Sequence, residues 1–258
     1  MIYGYFGHHK SASSWMSRKI IKAATEKMGL NYVHYSNPKA FDNNLEHDIV
    51  INNVDFFAYV NANSEFIGDI IKKKNFKGFH IIRDPRDICI SAYFSHLYSH
   101  SVKTKYTSHI AELRQKLESV SLEEGLFLEL EFLEHIFTHM INWDYNLPNV
   151  LEIKFEELIQ APQDTILKIF DFLGLIDEDK NSLGNKINPC DLLTIINYNR
   201  FEKMSQGRKR GDEDQKSHYR KGIAGDWQNY FNKEHKDFFK LRYTELLLKL
   251  GYENDSNW

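Results

Sequence analysis

Residues 1–20 of the chain, "MIYGYFGHHKSASSWMSRKI", decide its fold. Ile2–Phe6 is a short aromatic and β-branched run, which is typical of a buried strand. From Ser13 to Met28 apolar residues recur at helical spacing, and Gly29 supplies a C-terminal stop. Strand, tight loop and helix in this order predict a βα unit whose loop presents backbone N–H groups to an anion.

The loop nearly matches the triphosphate-binding pattern G-x-x-x-x-G-K-[ST]. Gly4 is followed at the right distance by Lys10 and Ser11, but His9 stands where the second glycine belongs. The pattern leaves two interpretations: a damaged ATP site, or an intact site for a different phosphate-bearing ligand. A plainer alternative is a strand–loop–helix corner closed by an N-capping serine.

The rest of the chain alternates between strand and helix patterns. Further strands are predicted over 30–35, 56–62, 76–82 and 149–155, and helices over 64–74, 85–98, 108–142 and 164–174. This alternation predicts an α/β fold, with a parallel sheet flanked by helices, in a single domain over 1–258. Ligands of such folds bind at the carboxyl ends of the strands.

Composition narrows the class of protein. The chain has 258 residues, 42% of them hydrophobic, and a net charge of −3, which does not favour nucleic acid. Its two cysteines are far apart, which argues against a zinc site or a disulfide scaffold. Glutamates interrupt the apolar run 125–141, and no signal peptide is evident. We therefore expect a cytoplasmic protein without membrane insertion.

A second motif is "IIRDPRDICISAYFSH", residues 81–96. Arg83 ends a predicted strand, and Ser91 follows two helical turns later, so that one compact anion could bridge them. The alternatives are an exposed Arg86–Asp87 pair, or Asp84 acting as the metal-binding acid of an ATPase.

A third motif, "RKGIAGDW", covers residues 220–227. Gly222 would let the backbone approach a phosphate closely, beside two cations. The charged stretch around it, about 205–225, is too polar for a core and is read as a functional lid or a solvated loop.

Together the three motifs resemble the sulfotransferases that use 3′-phosphoadenosine 5′-phosphosulfate (PAPS). The family loop K-S-G-T-T-W is matched by 10–15, its R-[ND]-P-[KR]-D-x₃-S by 83–91, and its R-K-G-x-x-G-D-W by 220–227. The resemblance implies a P-loop nucleotide-hydrolase-like fold. It also implies sulfuryl transfer from PAPS to a hydroxyl or amine of a small-molecule or lipid-like acceptor, without a metal.

The resemblance also assigns residues. The 5′-phosphate and sulfuryl group would be held by Lys10, Ser11, Ala12, Ser13 and Ser14. The 3′-phosphate would be held by Arg83, Ser91, Arg220, Lys221 and Gly222. Trp15 and Phe201 would flank the adenine. We expect the lid to be mobile without donor, because its cations have no other evident anion to pair with.

Two departures from the family pattern bear on the chemistry. Ala12 replaces the usual loop glycine, and Asn61 stands where many relatives carry the catalytic histidine. His34, at the end of a predicted strand, is the expected base, although it could instead be a histidine hydrogen-bonded in its loop. His8, His9, His96 and His100 remain candidates.

Other functions and the partners stay open at this point. A P-loop kinase or ATPase would need magnesium and ATP, and a catalytically idle nucleotide-binding module would bind donor without turnover. We expect the helical segments 91–98 and 108–142 to line the acceptor pocket, and no oligomeric state follows from the sequence.

Overall fold

A computed structural model describes residues 1–102, 107–177 and 184–258. Its contacts divide the chain into two compact units. The sheet unit comprises Met1–Ile82 and Asn142–Arg200, and the helical unit comprises Arg83–Ile141 and Phe201–Trp258. A single domain over 1–258 therefore stays a prediction.

The sheet unit is built on five parallel strands in the order β2-β3-β1-β4-β5. The strands are β1 (Ile2–Gly7), β2 (Tyr32–Tyr35), β3 (Phe56–Tyr59), β4 (Phe76–Ile82) and β5 (Val150–Lys154). This arrangement confirms the predicted α/β class. Because β1 is central, the loop after Gly7 leaves from the middle of the carboxyl edge, where such folds bind ligands.

Both faces of the sheet are covered by apolar side chains, as a parallel sheet requires. One face carries Tyr5, Phe79 and Ile153, packed against the helices that contain Ile20 and Phe170. The other carries a second cluster of Phe6, Phe57, Tyr59, Leu45, Ile49 and Trp143. Even-numbered residues of β1, β4 and β5 therefore point to the second face, since side chains alternate along a strand.

Among the helices of the sheet unit, those that begin at Ser13 and Pro162 were predicted, whereas three others were not. The first is α-helical over Ser13–Trp15, π-helical over Met16–Ile21 and α-helical over Lys22–Met28. The others are Leu45–Ile51, Phe155–Gln160, Pro162–Leu173 and Pro189–Tyr198, with a 3₁₀ turn at Pro38–Phe41.

The predicted helix over 64–74 is wrong. Only a 3₁₀ turn forms, at Ser64–Phe66, although Ile67, Ile70 and Ile71 are buried as expected. Gly68 lies in the middle of the segment, where a glycine disfavours helix by about 1 kcal/mol. A series of turns buries the isoleucines without a continuous helix.

The helical unit contains six α-helices within the described part of the chain. They are Pro85–Phe94, Ser108–Glu118, Leu122–Phe132, Glu134–Ile141, Phe201–Met204 and Lys233–Leu250. A π-helical turn, Ser95–Ser99, follows the first of them. Across the described residues no helix is both long and apolar enough to span a membrane.

The long helical tract predicted over 108–142 is divided into three helices. Ser121 begins the second with a capping box: its hydroxyl accepts the N–H of Glu124, whose carboxylate accepts the N–H of Ser121. The sequence carried this signal, S-x-x-E before an apolar run.

Candidate functional site

The loop between β1 and the first helix folds back on His8. The carbonyl of His8 accepts hydrogen bonds from Ser13 Oγ at 2.6 Å and from the N–H of Ser11 at 3.2 Å. Lys10 and Ala12 have φ angles of 63° and 60°, in the left-handed region. Such a conformation costs roughly 1–2 kcal/mol for a residue with a side chain, and strain of this kind gathers at functional sites.

Ser11 is the buried hydroxyl of this loop. Its side chain is fully buried, and among the described residues no group forms a hydrogen bond with its Oγ. A buried hydroxyl without a partner is costly unless something satisfies it. The N-cap of the helix is Ala12, which has no side-chain acceptor. The alternative interpretation, a corner closed by an N-capping serine, is therefore wrong. Both observations fit a loop that receives an anion.

Trp15 lies half-buried at the start of the same helix. Its Nε1–H donates to the carbonyl of Asn199 at 2.7 Å, which fixes the orientation of the indole. Ser14 is exposed between the loop and this ring. The roles of both residues toward adenine and phosphate stay predictions.

His34 lies in β2, one residue before its end, opposite Ala58 of β3. Its Nδ1 is buried and has no hydrogen-bond partner among the described residues. Burial, with a smaller contribution from the positive charge of Arg18, lowers the pKa of His34 to about 4. The imidazole is therefore neutral at pH 7 and able to accept a proton, but it binds that proton weakly.

Asn61 has a structural role. Its Nδ2–H donates to the carbonyl of Ser36 at 2.9 Å, joining the loops that follow β2 and β3.

In the helical unit, Asp87 connects the second motif to the third. Its carboxylate accepts the backbone N–H of Gly225 at 2.7 Å and of Trp227 at 2.9 Å. Burial raises the pKa of Asp87, and the charge of Arg83 opposes that effect. Arg83 is itself buried, and its Nη2 donates to the carbonyl of Ile223 at 3.3 Å. Residues separated by more than a hundred positions thus form one local structure.

The alternative of an exposed Arg86–Asp87 pair is wrong, because both side chains are buried and Arg86 pairs with Asp84 instead. Arg86 is 3% exposed, and its guanidinium makes a forked contact with Asp84 that includes Nη2–Oδ2 at 2.7 Å. A second acid, Glu253, lies 2.5 Å from Nη1. The rings of Trp227 and Trp258 lie 4.1 Å and 4.5 Å from the same guanidinium. Because Asp84 is paired with Arg86, it is a poor candidate for the metal-binding acid of an ATPase.

Phe201 and Gly222, both predicted to bind the donor, are in contact. Gly222 has a φ of +68°, and a Cβ built on it would lie 2.6 Å from Cε2 of Phe201. Arg210, which sequence reasoning missed, lies 5.2 Å from the centre of that ring and donates to the carbonyl of Gly222 at 2.9 Å. The run of three cations at 208–210 was the signal that could have identified it.

The expectation that the cations of the third motif have no anion to pair with is wrong. Arg220 forms ion pairs with Glu213 and Asp226, and Lys221 Nζ lies 2.6 Å from Asp226. Burial raises the pKa of Asp226, but hydrogen bonds from Lys221 and Arg220 outweigh it, so the pKa lies below its usual value. The guanidinium of Arg220 also lies 4.7 Å from the ring centre of Phe94.

Ser91 lies half-buried in the helix Pro85–Phe94, as the second motif predicted. Its role toward a phosphate stays a prediction.

Comparison with known proteins gives consistent matches. A family model described as a sulfotransferase domain matches residues 64–251. Cytosolic sulfotransferase 3 of Arabidopsis thaliana is 29% identical over 172 residues, which cover 64% of this chain and 51% of that protein. Sulfotransferase 2A1 of Mus musculus is 28% identical over 179 residues, covering 66% and 55%. The chain spans about half the length of the curated relatives it matches.

Two solved structures share the fold. Mouse sulfotransferase SULT7A1 complexed with PAP has a TM-score of 0.59 at 20% identity, covering 95% of this chain and 84% of that chain. Retinol dehydratase in complex with androsterone and PAP has a TM-score of 0.54 at 16% identity, covering 95% and 80%.

Proposed function

Because the chain belongs to the sulfotransferase domain family, we propose that it transfers the sulfuryl group of PAPS to a hydroxyl or amine of a small-molecule acceptor. The product from the donor would be adenosine 3′,5′-bisphosphate (PAP). A cytoplasmic location is part of the proposal, in keeping with the names of the plant relatives.

The strained loop 8–15 is the observation that carries the proposal. It combines a cation at Lys10, a fully buried hydroxyl at Ser11 that has no hydrogen-bond partner in the described part of the chain, and a helix start without a side-chain cap. These features suit the 5′-phosphosulfate of the donor, in which the phosphate and the sulfuryl group each carry one negative charge. Ser13 and Ser14 would add hydroxyl donors.

The 3′-phosphate would be bound by Arg83, Ser91, Arg220, Lys221 and Gly222. Arg220 is already paired, but its two partners differ: Asp226 is buried, whereas the Glu213 side chain is 27% exposed. In the proposal the phosphate takes the place of Glu213 on Arg220, and the pairing with Asp226 remains. Because of this exchange of partners on Arg220, we expect the lid loop, about 205–225, to change its conformation when the donor binds.

Adenine would stack on Phe201, whose position is fixed by Gly222 and Arg210. Trp15, held by its hydrogen bond to Asn199, is the second aromatic residue proposed for the base.

In the chemical step the acceptor oxygen forms a bond to sulfur as the bond between sulfur and the bridging oxygen breaks. The electron pair goes to the departing 5′-phosphate. Lys10 would stabilise the negative charge that grows on the bridging oxygen, which is the kind of interaction that lowers a barrier most. The proton leaves the acceptor for a base, and His34 is the base expected from the sequence.

The test combines binding with turnover. We expect PAP to raise the melting temperature in proportion to the logarithm of its concentration, and ATP with magnesium to have little effect. Sulfur-35-labelled PAPS, offered with a mixed metabolite extract, should yield labelled products.

Lys10→Ala should lower kcat by roughly 10²–10³. Lys39→Ala is the control, since Lys39 lies in the 3₁₀ turn Pro38–Phe41, outside the proposed site. Stabilisation by ATP and not by PAP would contradict the proposal.

A further inference from the structure

Three ionisable residues, His8, His80 and Glu152, share one face of the sheet. In the register of the strands, His80 of β4 lies beside Phe6 of β1 on one side and Glu152 of β5 on the other. Phe6 lies on the second apolar face of the sheet, and so do the even-numbered residues of the neighbouring strands β4 and β5. His8, two residues after Phe6, continues this face beyond the end of β1.

Glu152 fixes the ring of His80. Its Oε2 lies 2.8 Å from Nδ1 of His80, and its Oε1 accepts the indole N–H of Trp143 at 2.8 Å. An ionised carboxylate only accepts hydrogen bonds, so Nδ1 of His80 carries a proton, and in the neutral imidazole Nε2 then carries a lone pair. Nε2 is buried and has no hydrogen-bond partner among the described residues. This is a buried acceptor in a ring that is 0% exposed.

The rings around His80 differ in what they can donate. The centres of Trp143, His8 and Tyr145 lie 4.2, 4.9 and 5.9 Å from the centre of His80. The N–H of Trp143 already binds Glu152. Burial, and then the charge of Glu152, raises the pKa of Tyr145, so its phenol keeps its proton. His8 is the neighbour whose ordinary pKa lies near neutrality.

His8 is also part of the donor loop. The His8 carbonyl holds Ser11 and Ser13, and Lys10 follows two residues later. The ring of His8 packs against the ring of His80, while the backbone of His8 belongs to the loop proposed to hold the sulfuryl donor. By contrast, no carboxylate in the described ranges forms an ion pair with His34, and burial lowers its pKa.

We propose that His8 accepts the proton of the acceptor during sulfuryl transfer, and that His80 and Glu152 are the residues that position it. The inference rests on the proposed function. The acceptor O–H bond breaks and its proton moves to an imidazole nitrogen of His8. The O–S bond forms, and the electron pair of the old S–O bond leaves with the 5′-phosphate. The lone pair of His80 Nε2, supported by the charge of Glu152, stabilises the imidazolium.

One structural requirement follows. His8 is fully buried in the chain without ligands. The acceptor reaches it only if the strained loop around Lys10 and Ala12 shifts when the donor and the acceptor bind.

The experiment compares three variants with wild type. Glu152→Gln keeps the shape of the side chain and removes its charge, His80→Asn keeps a donor for Glu152 and removes Nε2, and His8→Ala removes the base. His47→Ala, in the exposed part of the helix Leu45–Ile51, is the histidine control. The readouts are the PAP-induced melting shift, nitrogen-15 NMR of labelled histidines over pH, and labelled transfer to the acceptor mixture.

We expect His8→Ala to lower kcat by roughly 10²–10⁴. Glu152→Gln and His80→Asn should lower the measured pKa of His8 by about one unit and kcat by roughly threefold to tenfold. The KM for PAPS and the PAP-induced shift should stay as in wild type, as should every property of His47→Ala.

Normal kcat in His8→Ala, or a His8 pKa that neither positioning variant changes, would overturn this inference alone. No PAP-induced shift and no transfer by wild type would overturn the proposed function, and the inference with it.

Discussion

Gly222 lies against the ring of Phe201 so closely that a methyl group on Gly222 would be 2.6 Å from Cε2. A contact of that length forces one of the two residues to move, and Phe201 is 7% exposed, with little room to do so. The glycine of the third motif is thus required by its contact with an aromatic side chain as well as by its own backbone.

Gly222→Ala should therefore weaken PAP binding and lower stability together. Gly211→Ala is the matched control: Gly211 also has a positive φ, of +96°, but apart from its chain neighbours no described residue has an atom within 4 Å of the added Cβ. Both variants carry the backbone cost of roughly 1 kcal/mol, so calorimetric titration with PAP should show a loss of affinity in Gly222→Ala alone. Equal affinities would contradict a role for the Phe201 contact in donor binding.

Glu213 should compete with the donor for Arg220. If the 3′-phosphate replaces its carboxylate, Glu213→Gln should bind PAP more tightly, by up to about fivefold, the scale of a partly exposed ion pair. Glu245→Gln, on the exposed side of the C-terminal helix, should bind PAP as wild type does. Weaker binding by Glu213→Gln, measured by calorimetry at fixed ionic strength, would mean that the lid pairing assists the donor.

Ala12 should be a source of strain that a single substitution removes. Its φ of 60° is comfortable for glycine, so Ala12→Gly should stabilise the chain by about 1 kcal/mol. Ala24→Gly, within the helix Lys22–Met28, should have the opposite sign, since glycine destabilises helices by roughly 0.5–1 kcal/mol. Urea unfolding of the two variants measures both changes in the free energy of unfolding. A loss of stability in Ala12→Gly would contradict the claim that Ala12 is strained.

The low pKa of His34 predicts how stability depends on pH. The unfolded chain binds a proton at His34 near pH 6.5, whereas the folded chain does so only near pH 4. Between these values the unfolded state holds more protons, so the contribution of His34 to stability is lost as the pH falls from 6.5 to 4. His34→Gln should show a shallower fall in melting temperature over that range. If the melting temperatures of wild type and His34→Gln fall in parallel over this pH range, a group other than His34 titrates there.

What the sequence predicts well is local. β4 matches the predicted range, because the run 76–82 is apolar and ends at Arg83. The helix over 162–173 ends before Gly174, whose φ of +76° is the expected C-terminal stop. The three motifs are short, and their spacing is set within one strand–helix corner or one loop. Such features need no knowledge of distant residues.

Several errors and omissions depend on tertiary contacts that the sequence does not specify. Arg86 looked exposed because neither Glu253 nor Trp258 could be placed beside it from the sequence. The pairing of His80 with Glu152 depends on the register of β4 and β5, which a one-residue slip would abolish. The pairing of Glu213 and Asp226 with Arg220 depends on how the lid folds back on itself.

Because Arg86 contacts two indole rings, the tryptophan fluorescence of the helical unit should differ from that of the sheet unit. Trp227 and Trp258 stack on one buried cation, whereas Trp143 lies in the sheet unit beside His80. The two tryptophans of the helical unit and Trp143 of the sheet unit thus reside in different electrostatic settings. With Trp15 and Trp143 replaced by phenylalanine, the remaining fluorescence would report the opening of the strand-to-helix motif by itself, apart from the melting of the sheet.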